Sequence, residues 1–327
     1  MNLLTDKNYK WIYTYDYAPD SVWEPWRESD TEPSWIEDET IAVSERVSSI
    51  ASRGNLLTFV LLSDSHYVTN GTWDDTVLSL KALEKKINLD GVIHLGDLSD
   101  GLLPLAKTKE IEHGCLKDME ALGKPVYVVP GNHDYNYFRK NPDVTYPEKP
   151  RYFVDYEKQK LRLVFIDSFD PKDAVRYGFS EDCIKWLDDS LRSTPAGYLA
   201  VVFSHVPPLV RLQAWAKDIR NRHQLMEVLN KHADRIMAYF NGHNHCDLLF
   251  NDLHNGQFPV ISVNCAKCEY FLEHKPEGAV VPERRLGDRT QESFDIMQID
   301  SQKKIIYLTR FGAGADRIIE NSRAYWV

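Results

Sequence analysis

Several features that would assign this 327-residue chain to a particular class of protein are missing from its sequence. No apolar run approaches the roughly 18–20 residues that a membrane-spanning helix requires. The first residues do not combine a basic start with an apolar core, so nothing indicates a secretory signal peptide. By default we therefore expect a cytoplasmic protein that does not act at a membrane.

Basic residues are scarcer than acidic ones. The chain has 39 Lys and Arg residues against 49 Asp and Glu residues, which gives a formal net charge of −10. Proteins that recognise nucleic acid carry basic surfaces that attract the phosphate backbone. The charge balance gives no such overall basic field, and we expect no nucleic-acid partner.

Cysteine is sparse and odd in number, which argues against a disulfide framework. The five cysteines suit a reducing compartment better. Cys265 and Cys268 form a C-x-x-C sequence, but no second pair lies nearby to complete a four-thiolate zinc site. We interpret these two residues as buried thiols.

Hydrophobic residues make up 43% of the chain, enough for one large domain or for one domain with a smaller appendage. Residues 1–54 differ from the rest because they are rich in aromatic side chains. These are Trp11, Tyr13, Tyr15, Tyr17, Trp23, Trp26 and Trp35. We predict an N-terminal extension over 1–54, a main domain over 55–315 and a C-terminal tail over 316–327. The aromatic residues are predicted to pack on the main domain, and the alternative is a surface that stacks on a ligand.

Strand-like and helix-like segments alternate from residue 56 onward, which indicates a layered α/β domain. A further helix is predicted to begin after Ser180, a good N-cap residue. The other predicted helices cover 41–52, 74–88, 107–122 and 223–233.

Beyond residue 245 only short strands are predicted, over 258–263, 294–299 and 304–309. Their alternating or apolar patterns favour a second, more antiparallel sheet. Long polar stretches separate several of the elements, and we expect substrate specificity to lie in these loops. They cover 135–158, 206–222 and 266–292.

Five apolar runs end in residues of the types that bind metals. The runs cover 56–62, 91–95, 126–130, 199–204 and 236–240. The polar residues that follow them are, in order, Asp64 and His66, Asp97, Asn132 and His133, His205, and His243 and His245. Each pattern alone occurs by chance in many proteins. All five patterns occur together, each at the end of an apolar run. We therefore predict that the segments that follow the runs, here called the strand exits, converge on one site for two metal ions.

The donor types decide which ions and which substrate fit this site. Imidazole nitrogens and carboxylate or amide oxygens suit Mn²⁺, iron, Zn²⁺ or Co²⁺, whereas a Ca²⁺ site contains less histidine. Asp64 and His66 lie two residues apart, so in an extended segment both can face one ion. Asp97 follows a glycine and has two oxygens with which it can bridge two ions. Two divalent ions bring four positive charges against two carboxylates, so the pocket attracts an anionic phosphoryl group.

His133 follows Asn132 directly and need not be a ligand. If Asn132 faces the metals, His133 reaches the substrate side, where it can protonate a leaving group or stabilise a transition state. Asp100 lies three residues after Asp97, and we predict that it hydrogen-bonds to His133.

The ordered motifs Asp64-x-His66, Gly96-Asp97, Gly131-Asn132-His133-Asp134, His205 and Gly242-His243-x-His245 resemble the calcineurin-like metallophosphoesterase superfamily. The resemblance covers about residues 55–250, and its fold would extend to about residue 310. It implies a four-layer αββα sandwich with two mixed β-sheets and metals at the C-terminal ends of the strands.

The resemblance also implies a role for each site residue. Asp64, His66 and His245 would hold the first metal. Asn132, His205 and His243 would hold the second, and Asp97 would bridge the two. His133 would be the catalytic histidine, with Asp100 as its partner.

Differences from two branches of the superfamily limit the number of branches that this chain resembles. Purple acid phosphatases have a tyrosine ligand where this chain has Asp100. Serine/threonine phosphatases follow the corresponding Asp with Arg-Gly, whereas Gly101 and Leu102 follow here. The motifs are closest to the bacterial phosphodiesterase-like branch. Arg310 and Arg317 lie outside the motifs, and we expect them to be surface residues, with approach to the substrate as the alternative.

These observations predict a metal-dependent hydrolase of ester bonds. A metal-bound hydroxide would attack phosphorus in line, with no covalent enzyme intermediate and with a small-molecule phosphoester as substrate. A phosphodiester is somewhat favoured. The alternatives are a phosphomonoesterase with the same site and a metal-binding scaffold or ligand-binding protein without catalysis.

Overall fold

The computed structural model describes residues 32–52, 54–67, 72–101, 105–135, 150–169, 177–215, 218–251 and 258–327. Of the aromatic residues that mark the predicted N-terminal extension, Trp35 is described and the others lie outside these ranges. Most of the predicted loop 135–158 also lies outside them.

The described residues form five α-helices and thirteen strands. The helices are α1 (Ser34–Ala51), α2 (Trp73–Glu84), α3 (Leu105–Glu120), α4 (Glu181–Arg192) and α5 (Arg222–Lys231). The first seven strands are β1 (Leu57–Leu62), β2 (Gly91–His94), β3 (Val126–Val128), β4 (Tyr152–Tyr156), β5 (Leu161–Phe165), β6 (Leu199–Ser204) and β7 (Ile236–Asn241). The remaining strands are β8 (Leu248–Phe250), β9 (Val260–Ser262), β10 (Ser293–Asp300), β11 (Ile305–Gly312), β12 (Arg317–Glu320) and β13 (Arg323–Trp326).

Two mixed sheets form the centre of the molecule. The seven-stranded sheet has the order β13-β12-β11-β10-β1-β2-β3, and the six-stranded sheet has the order β4-β5-β6-β7-β9-β8. In the first sheet β1, β2 and β3 are parallel, and β10 pairs antiparallel with β1. In the second sheet β5, β6, β7 and β9 are parallel. Parallel strands place their C-terminal ends at one edge, so each sheet has an edge where several polar exits can meet.

Both faces of each sheet are buried, which explains the continuous apolar runs in the sequence. Along β1, Phe59 and Leu61 face the core between the sheets, whereas Val60 and Leu62 pack with residues of α1, α2 and α3. On the other side, α4 and α5 cover the second sheet through residues such as Leu187 and Leu225. The four-layer αββα arrangement predicted from the motif resemblance is confirmed.

Local signals in the sequence account for parts of the helical layers. The Ser180 side chain accepts a hydrogen bond from the Cys183 main-chain nitrogen, as a helix N-cap should. Glu181 and Asp182 occupy the first turn of α4, where acidic side chains complement the helix dipole. Cys265 and Cys268 are both buried free thiols, which confirms their interpretation. None of the described helices is both long and apolar enough to cross a bilayer.

The last strands do not form a separate antiparallel sheet, contrary to the prediction. β10 pairs with β1 and continues the first sheet, whereas β9 joins the second sheet in parallel with β7. The reason is that β10 carries apolar residues on both of its faces and is buried along its length. Phe294 packs with the helical layer and Met297 packs between the sheets, so the strand needs a central position.

The predicted ends of the main domain also differ from the structure. Residues 317–326 form β12 and β13, the outer strands of the seven-stranded sheet, and so are not a tail. Val43 and Val47 of α1 pack with the helical layer on the same sheet. Part of the predicted N-terminal extension therefore belongs to the folded unit, because its apolar helix face needs a partner.

Candidate metal centre

The C-terminal ends of strands from both sheets bring the predicted site residues together at one edge of the sandwich. Asp64 and His66 follow β1, Asp97 follows β2, Asn132 and His133 follow β3, His205 follows β6, and His243 and His245 follow β7. All are buried except His133, which is half-buried.

A first group of potential metal ligands consists of Asp64, His66 and His245. Each offers one ligand atom within 4.8 Å of the other two. His245 Nε2 lies 3.2 Å from Asp64 Oδ1 and 3.2 Å from His66 Nε2. His66 and His245 are 179 residues apart in the chain, so only the tertiary structure brings them into contact.

A second group contains Asp97, His205 and His243, whose ligand atoms also lie within 4.8 Å of one another. His205 Nε2 lies 3.2 Å from Asp97 Oδ2 and 3.0 Å from Asn132 Oδ1. The same Asp97 oxygen is 3.7 Å from His66 Nε2 in the first group. Asp97 therefore reaches both groups, as a bridging carboxylate must.

The main chain at this edge adopts a conformation that few residues other than glycine favour. Five of the seven predicted metal ligands have positive φ angles. They are Asp64 (50°), His66 (39°), Asp97 (56°), His243 (67°) and His245 (47°). Each such residue costs about 1–3 kcal/mol and persists only where its surroundings hold it. The left-handed turns direct these side chains toward the site. In a regular extended strand the same side chains would point elsewhere.

Hydrogen bonds between the exits hold these turns in place. The Asp134 carboxylate accepts from the main-chain nitrogens of Gly131 and Asp97, each at 2.8 Å, and of Leu98 at 2.9 Å. Asp64 Oδ2 accepts from the main-chain nitrogen of His243 at 2.9 Å. Asp134 therefore links the segment after β2 to the segment after β3, while Asp64 links the segment after β1 to the segment after β7.

Two glycines beside the ligands are required by close packing. A Cβ atom at Gly131 would overlap Asp97 Oδ1, and one at Gly242 would overlap Ser63 Oγ and crowd Asp64 Oδ2. A larger residue at either position would clash with these atoms, which explains the glycine in the Gly-Asn-His-Asp and Gly-His-x-His motifs.

Carboxylates hold the outer nitrogens of both histidines in the first group. His66 Nδ1 donates to Asp100 Oδ1 at 2.7 Å, and His245 Nδ1 donates to Glu269 Oε1 at 3.1 Å. An acceptor at Nδ1 favours the tautomer that carries its proton there, so that the Nε2 lone pair points inward toward a metal.

The histidines of the second group have neutral outer partners. His205 Nδ1 donates to the Leu95 main-chain oxygen at 2.7 Å. Gln213 Nε2 lies 3.2 Å from His243 Nε2, and the buried Gln213 Oε1 has no hydrogen-bond partner among the described residues. Exchanging the amide nitrogen and oxygen would let Oε1 accept from His243 Nε2, with Nδ1 of His243 left for a metal.

Glu269 is a site residue that the motifs do not reveal. Its Oε2 lies 2.6 Å from Lys267 Nζ, and both side chains are only 4% exposed. It follows β9, the parallel neighbour of β7, so it enters from a further strand exit at the same edge. A parallel pairing for the predicted strand 258–263 would have pointed to this loop.

His133 is oriented by main-chain contacts. Its Nδ1 donates to the Asp100 main-chain oxygen at 2.7 Å, and its own main-chain nitrogen donates to Asp97 Oδ1 at 2.8 Å. The Asp100 carboxylate contacts His66. Asp100 and His133 are thus joined through the Asp100 main-chain carbonyl group, whereas the Asp100 carboxylate binds a histidine of the first ligand group.

The two arginines expected at the surface are buried in the molecule, so that prediction is wrong. Arg310 pairs with Asp247 at 2.5 Å and with Asp295 at 3.2 Å. Arg317 pairs with the same two carboxylates. The two buried acids require cations beside them, which explains why both guanidinium groups lie inside.

The charge balance of the site favours bound cations. Burial would raise the pKa of Asp64, but His245 and His205 lower it below its usual range. Burial would lower the pKa of His205, but Asp97 and Asp64 raise it to about 9. The buried carboxylates therefore stabilise positive charge at the positions of the imidazole rings.

The surroundings of one carboxylate oxygen indicate whether these residues can bind a metal ion. Asp64 Oδ1 is buried and accepts no hydrogen bond of good geometry in the described part of the chain. Three imidazole Nε2 atoms, of His66, His205 and His245, nevertheless lie within 4.0 Å of it. Imidazole nitrogens that converge on a buried carboxylate oxygen with no hydrogen bond of its own are what a metal ion requires, so the donor set fits.

A separate cavity of about 450 Å³ opens at the opposite edge of the sheets, next to Lys160, Leu199 and Arg235. The described residues that line it include no histidine, and Asp234 is the one acidic residue among them. It therefore lacks the donor set found at the strand exits.

Comparison with known proteins agrees with this geometry. Residues 57–247 match the model of the calcineurin-like phosphoesterase family, which is more than half of the chain. The chain belongs to the calcineurin-like phosphoesterase family, a family of hydrolases that act on phosphoester bonds. Its fold is that of a dinuclear metal-binding phosphoesterase. The two ligand groups described above are candidate metal sites among the four such groups that the described residues form.

Individual relatives are more distant. The chain is 28% identical over 185 residues to a probable glycerophosphodiester phosphodiesterase of Arcobacter nitrofigilis. This alignment covers 52% of this chain and 60% of that protein. The chain is 25% identical over 217 residues to the manganese-dependent ADP-ribose/CDP-alcohol diphosphatase of Arabidopsis thaliana, over 51% of this chain and 68% of that protein. The crystal structure of a dimetal phosphatase from Danio rerio superposes with a TM-score of 0.63 at 15% identity, over 81% of this chain and 99% of that one, and shows the shared fold.

Proposed function

We propose that this protein hydrolyses a small-molecule phosphoester with the help of two transition-metal ions, and that it favours phosphodiesters over phosphomonoesters. The observation that carries the proposal is the pair of ligand groups linked by Asp97. The preference for diesters is supported by one relative named as a phosphodiesterase, together with the motif resemblance.

We assign the ligands as the family resemblance implies, and the two groups of carboxylates and histidines support this assignment. Asp64, His66 and His245 would hold the first metal. Asn132, His205 and His243 would hold the second, and Asp97 would bridge both.

The donor chemistry favours manganese, iron or zinc. Manganese is the first to test, because the plant relative is named as manganese-dependent. When bound, the metals would act as Lewis acids that polarise the phosphoryl group and lower the pKa of water. Asp64 and Asp97 neutralise only two of four positive charges, so an anionic substrate is attracted to the pocket.

We assign His133 as the general acid. Its Nδ1 donates to the Asp100 main-chain oxygen, which fixes the ring, and Nε2 would donate the proton to the departing oxygen. Water supplies the oxygen that bonds to phosphorus, the ester bond breaks, and the alcohol leaves with the proton from His133. The proton that the water releases restores that of His133. Asp100 acts as a positioning residue that contacts both His133 and His66.

Hydrolysis of bis-p-nitrophenyl phosphate and of p-nitrophenyl phosphate, each with added Mn²⁺, tests the proposal. Faster turnover of the diester is the expected result. Faster turnover of the monoester would indicate a phosphomonoesterase with the same site. Turnover of neither, despite two bound metals, would indicate a metal-binding scaffold and contradict the proposal.

A further inference from the structure

An indole ring lies against the metal centre without being part of the core. The ring centroid of Trp215 lies 5.4 Å from that of His243 and 5.3 Å from that of His245, at nearly perpendicular angles. Trp215 is 42% exposed, whereas Trp73 in the helical layer is 2% exposed. A large aromatic side chain that remains accessible beside a reactive site is available for contact with a bound molecule.

A lysine side chain completes this surface. Lys275 Nζ lies 4.9 Å from the Trp215 ring centroid and 5.3 Å from that of Phe271. It also donates to the main-chain oxygen of Asn244 at 2.7 Å. Asn244 stands between His243 and His245 in the chain, so the ammonium group is fixed next to the candidate ligands.

The positive charge of Lys275 is not neutralised by an ion pair. Among the described residues, no carboxylate oxygen lies within 4.0 Å of its Nζ atom, although the chain has ten more acidic than basic side chains (49 minus 39). The neighbouring Glu269 already pairs with Lys267. One N–H of Lys275 is used by Asn244, so the ammonium group keeps donors for an anion.

We propose that Trp215 and Lys275 form a subsite for the part of the substrate that is not attacked, and that this part carries a planar ring and a second phosphate. A nucleoside diphosphate ester has both features. Lys275 would bind the second phosphate, and Trp215 would stack on the base. This inference rests on the proposed function, because it places the scissile phosphoryl group at the metal centre.

The reaction at such a substrate balances without a further reactant. Water attacks one phosphorus atom, which carries two substituents as in a phosphodiester, and the phosphoanhydride bond from that atom to the bridging oxygen of the diphosphate breaks. The attacked phosphoryl group keeps its ester bond and is released as a phosphomonoester. The leaving group, a nucleoside monophosphate, takes the proton from His133, and the proton that the water releases restores that of His133. Lys275 stabilises the charge on this leaving group.

Binding can be measured separately from catalysis. Adenosine 5′-diphosphate should quench the tryptophan fluorescence of the intact protein saturably. Trp215→Ala should remove most of the quenching and weaken binding about tenfold, since stacking contributes about 1–3 kcal/mol per base by alanine substitution. Trp326→Ala is the matched control, because Trp326 is similarly exposed at 39% but lies on β13. No binding by the wild-type protein, or equal effects of both variants, would overturn the subsite.

Lys275→Met tests the second phosphate. We expect kcat/KM for ADP-ribose to fall about 10–100-fold through KM, the range for a lost charge-assisted hydrogen bond, with Lys275→Arg retaining most of it. Hydrolysis of bis-p-nitrophenyl phosphate, which has no second phosphate, should change less than about twofold. The exposed Lys185→Met is the control. Equal loss for both substrates, or no loss for either, would refute the role of Lys275. Failure of the wild-type protein to hydrolyse any phosphoester would instead refute the proposed function.

Discussion

At the metal centre, the two ring nitrogens of a histidine have separate tasks. One nitrogen faces the ligand group, while the other meets a partner that fixes the tautomer and the ring plane. Asp100 and Glu269 provide that partner for His66 and His245. The charge of such a partner increases the basicity of the inward nitrogen. Under the proposed ligand assignment, Asp100 and Glu269 would therefore strengthen metal binding through His66 and His245.

Asp97→Asn should remove or scramble both metals, because the bridge loses its charge. Its Oδ2 atom lies 3.2 Å from His205 Nε2 and 3.7 Å from His66 Nε2, so one substitution affects both groups. We expect the metal content by elemental analysis to fall from about two per chain to below about one. Asp234→Asn, at an exposed position, should leave the metal content unchanged. Two metals retained in Asp97→Asn would refute the bridging assignment.

His133→Ala should retain both metals and slow turnover about 10²–10⁴-fold, the usual effect of losing a general acid. The ring lies beside the ligand groups but is held by the Asp100 main-chain oxygen. Turnover of bis-p-nitrophenyl phosphate and elemental analysis on the same samples would separate the two effects. His113→Ala, an exposed histidine of α3, is the control. Loss of metal would show that His133 is a ligand.

At the scale of elements, the strand ends position the candidate site residues, whereas the helices contribute buried polar side chains. Helix α3 carries Glu112 into the interior, where Ser99 Oγ donates to its Oε1 at 3.2 Å. Its Oε2 has no hydrogen-bond partner in the described residues. Burial and the nearby Asp134 raise the pKa of Glu112 to about 10.

This buried acid predicts a pH dependence of stability. The folded-state pKa of about 10 lies above the usual value of 4.5, so the folded state holds the proton more tightly. Stability should therefore fall as pH rises from about 4.5 toward about 10. Glu112→Gln should melt at a higher temperature than the wild type at pH 9, with a smaller gain at pH 5, in circular dichroism of chelator-treated protein. Glu120→Gln, exposed on the same helix, should show no such trend, and an equal gain at both pH values would contradict the prediction.

Elements differ in how well local sequence predicts them. The α4 helix begins as predicted, because Ser180 and the acidic residues after it act within one turn. The α1 helix begins earlier than predicted, at Ser34, directly after Pro33. The strand Val260–Ser262 was predictable as a strand, but not its parallel pairing with β7. Pairing depends on which edge of a distant strand has main-chain groups available for hydrogen bonds, and no local pattern records it.

At the scale of the molecule, a buried charge cluster joins the two sheets. Asp247 lies between β7 and β8 of the six-stranded sheet, whereas Asp295, Arg310 and Arg317 lie on β10, β11 and β12 of the other. Asp247 is two residues after His245. The same cluster that connects the sheets therefore also fixes the turn that carries a candidate metal ligand.

Arg317→Met should lower the free energy of unfolding by about 3–5 kcal/mol, because it leaves buried carboxylates without one of their cations. Urea unfolding of the wild type and the variant measures this change. Arg323→Met on β13 is the control, since Arg323 is exposed. A loss in Arg317→Met no larger than that in the control would show that the cluster contributes little to stability.

The sequence by itself determined the donor types, their order along the chain and the apolar runs that precede them. These are local properties, because a run of buried residues forms a strand and the residue after it carries its own chemistry. Only the tertiary structure decided that Glu269 meets His245, that Arg317 is buried and that Trp215 lies against the metal centre. These contacts join segments far apart in the chain, and they depend on how strands pair and layers pack, which no single segment encodes.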